Sequence, residues 1–258
     1  MLELDDVSVH LGRRQVLRNL SLTVRGGELL AICGANGAGK STLLKAILGE
    51  VPATGTIRLD GIDVPRARPA QLASLRAVLP QESDVAFGFT LGEVVAMGRE
   101  AGDFAPRPDV DHLALAAVGL VGRERDEIRS LSGGERQRGH LARALAQVWE
   151  PVSPRGPRWL MLDEPVASLD LGHQLQMMRL ARGYADAGGG VIAVMHDLNL
   201  TAMHADRIVL MHRGLAVAAG AAGAIFRDDL LAEVFGCDLR VGATPPEGIA
   251  FVLPQAAA

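Results

Sequence analysis

The stretch LLAICGANGAGKST, residues 29–42, limits the fold of this chain more than any other stretch does. Its first five residues are apolar, which predicts a short strand buried on both faces. The run then breaks into GANGAGKS at residues 34–41, where glycines at 34, 37 and 39 let successive backbone N–H groups face one anion. Apolar residues at 43, 44, 47 and 48 recur at helical spacing. We therefore expect a phosphate-binding loop at the N-terminus of a helix, where the helix dipole favours an anion.

The lysine in this loop is informative because the chain uses arginine almost everywhere else. Of the 26 basic residues, only Lys40 and Lys45 are lysines. A compact ammonium fits between phosphate oxygens where a planar guanidinium would not. A glycine-rich strand-to-helix turn with a surface lysine is the alternative, but strand, loop and helix all fall where a phosphate site needs them. We interpret the loop as nucleotide-binding, and we expect Lys40 to lie outside the core.

Length, composition and charge narrow the class of protein. A chain of 258 residues with 48% apolar residues suits one large domain, or a core with a smaller subdomain. The net charge of −4 gives no general basic field, so we expect no nucleic-acid partner. Cys33 and Cys237 form no spaced pair, which fits a reducing cytosol. The acidic N-terminus predicts no signal peptide, and no apolar run approaches the roughly 18 residues of a membrane span.

Hydrophobic patterning predicts an antiparallel β portion around the loop strand and a helical segment after it. Alternation at residues 2–24 and a pair near 55–59 predict antiparallel strands, and 74–79 a further short strand. From 82 to 148 the pattern is helical, with Thr90 and Glu93 at capping-box spacing and Asp109 expected as another N-cap. Three prolines predict an irregular loop at 149–158. Strands are expected at 159–162, 191–195 and 207–211, the last in a hairpin with 215–218.

The predicted fold class is therefore α/β, with an N-terminal antiparallel β portion and an inserted helical subdomain. Residues 1–81 and 149–240 would form the nucleotide-binding core, and 82–148 the helical subdomain. Residues 241–258 would be a C-terminal tail.

A second glycine-rich block, LSGGE at 131–135, opens a predicted helix. Ser132 and Glu135 have capping-box spacing, so an ordinary helix start is one reading of the block. A plain cap does not require the two glycines between them, Gly133 and Gly134. Glycines free backbone N–H groups to approach an anion, so the block is also a candidate phosphate contact.

Polar side chains follow two of the predicted buried strands. Asp163 and Glu164 come directly after the apolar run at 159–162, and His196 ends the strand at 191–195. Strand ends on one edge of a parallel sheet converge, and ligands bind there. Solvation of a strand end would also explain two carboxylates, but beside a phosphate loop they indicate a magnesium and water site. The other six histidines lack ligand-like spacing, and we expect them to be surface or helix residues.

These blocks, in this order, resemble the nucleotide-binding subunits of ATP-binding-cassette (ABC) transporters over residues 2–240. The resemblance rests on GANGAGKS at 34–41, Gln81, LSGGE at 131–135, LMLDEP at 160–165, SLD at 168–170 and His196. It implies a P-loop NTPase core of the RecA-like type. No Asn-Lys-x-Asp motif is present, which counts against a GTPase.

The resemblance also implies a role for each motif residue. Glu164 would polarise the attacking water, His196 would contact the γ-phosphate, and Gln81 and Lys40 would complete the catalytic group. ATP and Mg²⁺ are the implied cofactors. Magnesium would be held by Ser41, Gln81 and Asp163. The implied nucleotide-binding residues are Gly34, Asn36, Gly37, Ala38, Gly39, Lys40, Ser41, Thr42, Ser132, Gly133, Gly134 and Asp170.

The implied partners are a second copy of the chain and a membrane permease. Ser132 and Gly134 would face the ATP of the second copy, so that two ATPs lie between two subunits. A periplasmic substrate-binding protein would act indirectly, and the chain would lie on the cytoplasmic face of the inner membrane. Two positions depart from the family pattern. Leu11, after His10, stands where an aromatic residue usually stacks on adenine, and Val166 stands where a threonine is common.

Within the family, the chain is similar to importer ATPases for haem, iron–siderophores and cobalamin, and among these to haem importers. The similarity lies in residues 77–99, the loop between Trp149 and Trp159, MHDLNL at 195–200 and FGCDLRV at 235–241. Two other classes of ABC protein fit the sequence less well. A soluble ABC ATPase of DNA maintenance or translation usually has long coiled coils or two cassettes, and a regulatory module without turnover would not need both Glu164 and His196.

Overall fold

The computed structural model describes residues 1–81 and 88–256. The strands are β1 Leu2–Leu11, β2 Arg14–Val24, β3 Leu29–Gly34, β4 Thr54–Leu59, β5 Ile62–Asp63, β6 Arg76–Leu79, β7 Val152–Ser153, β8 Gly156–Pro157, β9 Trp159–Asp163, β10 Gly190–Val194, β11 Arg207–His212 and β12 Leu215–Gly220. The α-helices are α1 Lys40–Ile47, α2 Pro69–Ala73, α3 Leu91–Ala101, α4 Asp109–Ala117, α5 Gly133–Gln147, α6 Leu171–Asp186, α7 Leu198–His204, α8 Ala222–Ile225 and α9 Asp228–Phe235. Short 3₁₀ turns lie at Val64–Arg66, Ile128–Ser130 and Pro254–Ala256.

The larger sheet has the strand order β12-β11-β3-β10-β9-β6. Strands β11, β3, β10, β9 and β6 run parallel, and β12 joins the edge as an antiparallel hairpin partner of β11. All residues of β3, β9 and β10 are buried, as expected for strands covered on both faces. The predicted strands at 159–162, 191–195 and 207–211 are confirmed to within a residue or two.

The smaller sheet is antiparallel, with the order β2-β1-β4-β5. Its β1–β2 pairing joins Leu2 to Val24 at one end and Leu11 to Arg14 at the other. The predicted N-terminal antiparallel β portion is therefore confirmed. Its apolar face packs on α1 and on one face of the larger sheet, in a cluster that includes Leu30 and Ile32.

The opposite face of the larger sheet packs against the helices. Leu29, Ala31 and Cys33 of β3 alternate along the strand with Leu30 and Ile32. They belong to a second hydrophobic cluster, which contains side chains of α3, α4, α5 and α6. This alternation follows from the two-residue period of a strand. Helices α3–α6 therefore pack on the face of the sheet opposite α1.

Two details differ from the prediction, one inside the helical segment and one in the loop that follows it. The N-cap of α4 is Pro108, so the expectation that Asp109 caps this helix is wrong; the Asp109 carboxylate accepts a hydrogen bond from Arg107 Nη2 at 2.8 Å. The loop predicted at 149–158 contains the short hairpin β7–β8. The capping box at Thr90 is confirmed. The division into a core and a subdomain stays a prediction, and its boundary at 82 falls in residues 82–87, outside the described residues.

Four parallel strands end at the same edge of the larger sheet. Gly34 ends β3, Gln81 follows β6 by two residues, Asp163 ends β9, and His196 follows β10 by two residues. Parallel pairing of β3, β10, β9 and β6 brings these ends side by side. The sequence motifs that were expected to carry chemistry therefore meet at one edge.

Candidate active site

The phosphate loop runs from the end of β3 into α1. The first helical hydrogen bond joins Leu43 N to Gly39 O at 2.8 Å. The amides of residues 40–42 precede this bond, at the end of the helix where N–H groups have no intrahelical partner. Gly39 has a φ of 104° and Gly37 a φ of 77°, so both residues use backbone conformations that favour glycine. The predicted loop-to-helix geometry is confirmed.

Neighbouring elements hold this loop in place by close backbone contact. A Cβ on Gly34 would lie 2.2 Å from the carbonyl oxygen of Met211 in β11, so only glycine fits there. Ala38 O accepts a hydrogen bond from Gly214 N at 3.0 Å, and Gly214 O accepts one from Arg18 N at 3.0 Å. The β11–β12 hairpin therefore contacts the phosphate loop directly, and β2 is hydrogen-bonded to the turn of that hairpin.

Lys40 is the first residue of α1, and it is buried. Its side chain is 5% exposed, and Nζ donates hydrogen bonds to Gly34 O at 2.8 Å and to Ala35 O at 3.1 Å. The expectation that this lysine lies outside the core is wrong, because the residue is buried and its ammonium is bonded to two carbonyls of its own loop. Burial lowers the pKa of the ammonium, and the charge of Glu164 opposes that shift. The ammonium is thus held by loop carbonyls, and the carboxylates of Asp163 and Glu164 are close enough to act on its charge.

Asp163 and Ser41 form the next pair along the edge. Asp163 is 6% exposed, and its Oδ1 accepts a hydrogen bond from Ser41 Oγ at 3.3 Å. Burial raises the pKa of Asp163, while the Ser41 hydrogen bond lowers it. A hydroxyl and a buried carboxylate beside a phosphate loop are donors that suit Mg²⁺, which binds through one or two carboxylates, waters and substrate phosphates. The donor set therefore fits the expected magnesium ion.

Glu164 lies between two polar side chains from neighbouring strand ends. Its Oε2 accepts a hydrogen bond from Gln81 Nε2 at 3.0 Å, and its Oε1 lies 2.6 Å from His196 Nε2. The backbone of Glu164 has a φ of 52°, in the left-handed region that non-glycine residues rarely adopt. Strained residues of this kind cluster at functional sites. Gln81, which was expected to hold magnesium, contacts Glu164 in this structure.

Ser132 starts α5 with a complete capping box. Its Oγ accepts from Glu135 N at 3.3 Å, and the Glu135 carboxylate accepts from Ser132 N at 2.9 Å. Arg123 Nη1 also donates to Glu135 at 2.7 Å. The backbone and side-chain hydrogen bonds from Ser132, followed by that from Arg123, lower the pKa of Glu135 to about 2. Ser132 and Gly133 are exposed, so the start of this helix faces solvent.

Asp170 caps the next helix, α6. Its Oδ1 accepts from His173 N at 3.0 Å, and its Oδ2 lies 2.8 Å from His173 Nδ1. Hydrogen bonds from the backbone and then the side chain of His173 lower the pKa of Asp170. Among the other histidines, His140 is a helix residue as expected, but it is 3% exposed in α5.

The structure thus joins some of the predicted residues by hydrogen bonds and leaves others apart. Lys40 with the loop, Ser41 with Asp163, and Glu164 with Gln81 and His196 lie along one edge. Ser132 and Asp170 belong to the helix starts of α5 and α6. His10 and Leu11 are exposed at the end of β1, and Leu11 has 49% exposure. Asn36 and Gly37 are exposed at the tip of the phosphate loop.

Two glutamines near the site were missed by sequence reasoning. Gln137 in α5 and Gln174 in α6 donate hydrogen bonds to backbone carbonyls of the segment that follows β9. A glutamine that binds main-chain carbonyls leaves no pattern in the sequence around it. For Gln137, the only hint in the sequence is its position two residues after the LSGGE block.

Comparison with known proteins identifies the family. A family model described as "ABC transporter" matches residues 17–167. Among curated relatives, the hemin import ATP-binding protein HmuV of Jannaschia sp. (strain CCS1) is 51% identical over 257 residues, covering 100% of this chain and 95% of the relative. The chain therefore belongs to the ABC transporter family, as one of its ATP-binding subunits. The resemblance drawn from the motifs is confirmed.

Solved structures show the same fold. The ATP-binding subunit of an ABC transporter aligns with a TM-score of 0.79 at 24% identity, covering 90% of this chain and 98% of that chain. A dimeric ATP-binding cassette in a post-hydrolysis state with ADP and Pi aligns with a TM-score of 0.74 at 24% identity, covering 86% of this chain and 99% of that chain. The predicted P-loop NTPase fold is confirmed.

Domains of this family bind ATP, and ABC ATPases dimerise and pair with permease subunits. Within residues 1–81 and 88–256, no helix has both the length and the apolar character needed to cross a membrane.

Proposed function

We propose that this chain is the ATP-hydrolysing subunit of a haem (hemin) importer and that it works as a pair of identical copies. The observation that carries the proposal is the Glu164 carboxylate, which is held between Gln81 and His196 next to the phosphate loop. The transported compound is inferred from the full-length similarity to the Jannaschia relative, whose name states hemin import.

The phosphate loop would bind ATP before any chemistry. The amides of residues 37–42 and the Lys40 ammonium would hold the β- and γ-phosphates, with Lys40 exchanging its contacts with Gly34 O and Ala35 O for phosphate oxygens. Ser41, Asp163 and Gln81 would hold Mg²⁺, whose charge offsets that of the phosphates. Gly34, Ala38 and Gly39 would give the loop the backbone conformation that binds phosphate. Asn36 and Thr42 would be the remaining nucleotide-binding residues of the loop.

Glu164 would polarise the water that attacks the γ-phosphate. A carboxylate serves as a general base only where it lies in a fixed position within reach of the water proton. Hydrogen-bond contacts on both of its oxygens fix it here, from Gln81 on one side and His196 on the other. The water proton would move to Glu164, and His196 would contact the γ-phosphate at the same edge.

The second half of each site would come from a second copy. Ser132 and Gly133 are exposed at the start of the α5 helix, where backbone N–H groups and the dipole favour an anion. A Cβ placed on Gly133 would meet nothing within 4 Å, so this helix start is open to a partner. Ser132, Gly134 and Asp170 would then face the ATP of the second copy. A solved structure of the same fold is a dimer bound to ADP and Pi.

The permease would hold the pair at the cytoplasmic face of the inner membrane, and a periplasmic binding protein would deliver the cargo to that permease. Residues 77–99 span Gln81 and the start of the helical segment, so they are the expected surface for a cytoplasmic helix of the permease. Part of this surface, residues 82–87, lies outside the described residues. The chain carries a net charge of −4, and nucleic acid is not among the proposed partners.

Growth of a deletion strain under iron limitation tests the cargo. We expect loss of growth on haem iron, restoration by the wild-type gene and no restoration by Glu164→Gln. Uptake of iron–siderophore and cobalamin by the same strain is the control and should be unchanged. Normal growth on haem iron with failed siderophore or cobalamin uptake would overturn the haem assignment and move the proposal to one of those importers.

A further inference from the structure

The segment between β9 and α6 carries Glu164 at its start and Asp170 at its end. Two glutamine side chains, one from each neighbouring helix, hold it by its carbonyls. Gln137 Nε2 in α5 donates to Pro165 O at 2.7 Å and lies 3.4 Å from Glu164 O. Gln174 Nε2 in α6 donates to Leu169 O at 3.0 Å and to Val166 O at 3.2 Å.

The chemistry of the amide explains why glutamine stands at 137. A carboxamide nitrogen has two N–H donors, and here two carbonyl oxygens receive them. The reverse orientation of this amide would aim Oε1 at two carbonyl oxygens, which would repel it. Within the described residues, Gln137 Oε1 is buried and has no hydrogen-bond partner. The contact of this side chain with the segment is therefore made through its donors alone.

The contact acts on the residue whose backbone is strained. Glu164 has a φ of 52°, and such a conformation persists only where the surroundings impose it. Its amide donates to Val194 O at 3.2 Å, and its own carbonyl and that of Pro165 face Gln137. The backbone of Glu164 is thus held on one side by β10 and on the other by α5. Both contacts restrain the backbone that carries the Glu164 carboxylate.

We propose that Gln137 is a positioning residue that links the start of α5 to the carboxylate of Glu164. The N-cap of α5 is Ser132, the residue proposed to face the ATP of the second copy, and Gln137 lies five residues further along the chain, within the helix. A shift of this helix start on contact with the partner's ATP is passed to Pro165 O and Glu164 O through one side chain. This inference rests on the proposed function, because it assigns Gln137 a part in the hydrolysis by Glu164.

The chain offers a matched control on the same helix. Gln147 Nε2 also donates to two carbonyls, Ala73 O and Arg76 O, each at 2.9 Å. It lies at the opposite end of α5 from Ser132. Gln147→Glu therefore removes an equivalent pair of donors from α5 and leaves the segment after β9 untouched.

The experiment measures ATP turnover and KM of the purified full chain for wild type, Gln137→Glu, Gln137→Met and Gln147→Glu, with thermal unfolding of each. Gln137→Glu keeps the shape and turns an acceptor towards both carbonyls, so we expect kcat to fall about tenfold or more, as for a small misplacement of a reacting group. Gln137→Met loses the donors without adding a charge, and its kcat should fall less. The KM of both should stay within about threefold of wild type, since the phosphate loop is unchanged. Gln147→Glu should keep the wild-type kcat even where its unfolding temperature falls.

The outcomes separate this inference from the function on which it rests. Wild-type turnover together with loss of turnover in Glu164→Gln supports the proposed hydrolysis and makes the comparison meaningful; absence of wild-type turnover counts against the proposed function itself. With wild-type turnover present, a kcat of Gln137→Glu equal to that of Gln147→Glu overturns the positioning role. If Gln137→Glu does not fold, Gln137→Met is compared with Gln147→Glu instead, and an unchanged kcat in Gln137→Met overturns the positioning role.

Discussion

Glu164 Oε1 and His196 Nε2 lie 2.6 Å apart, although the two residues are 32 positions apart in the chain. The contact follows from the sheet, because β9 and β10 are adjacent parallel strands with Asp163 opposite Val194. One strand therefore delivers the carboxylate and the next delivers the imidazole to the same edge. Gln81, after β6, reaches the other carboxylate oxygen at 3.0 Å.

Lys40→Met should abolish or strongly reduce ATP binding and turnover. Methionine keeps most of the buried stem of Lys40, so the variant should fold, but it cannot neutralise phosphate charge or donate to Gly34 O and Ala35 O. Binding of a fluorescent ATP analogue and circular dichroism check both parts. Lys45→Arg is the control, since Lys45 is exposed on α1 and arginine keeps the positive charge that acts on Asp163, so binding should be unchanged. Wild-type turnover in Lys40→Met would remove the phosphate site from the account.

Mixing two inactive variants should restore part of the activity. A Lys40→Met copy paired with a Ser132→Arg copy has one composite site with an intact loop and an intact α5 start. We expect ATP turnover in the mixture at roughly a quarter of the wild-type rate or less, because random pairing puts one of two intact sites in half of the dimers, and no turnover in either variant alone. The measurement needs differently tagged copies, so that heterodimers are shown to form. Heterodimers without any recovery would mean that Ser132 acts within its own subunit.

Two helical glycines should respond to alanine in opposite directions. A Cβ on Gly98 in α3 would lie 2.1 Å from Arg143 O in α5, so Gly98→Ala should lower the unfolding free energy by about 1–3 kcal/mol, the usual cost of overpacking. Gly183 in α6 is exposed, and a Cβ there would meet nothing within 4 Å. Gly183→Ala should therefore raise the free energy by about 0.5–1 kcal/mol through helix propensity. Urea unfolding measures both. Equal effects of the two substitutions would contradict the close packing of α3 on α5.

The capping box of α5 should make stability depend on acid pH. The pKa of Glu135 falls from 4.5 to about 2 in the folded chain, first because of hydrogen bonds from Ser132. A lowered carboxyl pKa stabilises the fold above pH 4.5, and this contribution is lost as pH falls from about 4.5 towards 2. Glu135→Gln keeps the side-chain shape without the charge. The difference in unfolding temperature between wild type and Glu135→Gln should be largest at neutral pH and shrink below pH 4.5. A difference that is constant with pH would contradict the lowered pKa.

The sequence predicted the fold and the edge of the site because those depend on local patterns. Five apolar residues before GANGAGKS define a buried strand, and polar residues after 162 and 195 mark strand ends that a parallel sheet must bring together. The capping boxes at Thr90 and Ser132 were predictable for the same reason, since they join residues three apart.

What was missed depends on contacts between distant parts of the chain. Asp109 has the right residue type for an N-cap, but it is already the first helical residue of α4. Its carboxylate accepts a hydrogen bond from Arg107 instead of capping the helix. The burial of Lys40 depends on the folded path of the loop, whose carbonyls at 34 and 35 accept hydrogen bonds from its ammonium, and no sequence spacing encodes that path. Gln137 acts on backbone carbonyls 27 and 28 residues away, and carbonyls carry no residue type to read.

The most direct test of the account is the ATP turnover of Glu164→Gln, measured with the size of the protein in saturating ATP and magnesium. Glutamine keeps the shape and one oxygen but loses the carboxylate that polarises water, so turnover should fall by about two orders of magnitude or more. ATP should still bind, and the variant should elute as a stable dimer in size-exclusion chromatography. Turnover near the wild-type rate, or a variant that binds ATP and stays monomeric, would contradict hydrolysis by Glu164 between two copies of this chain.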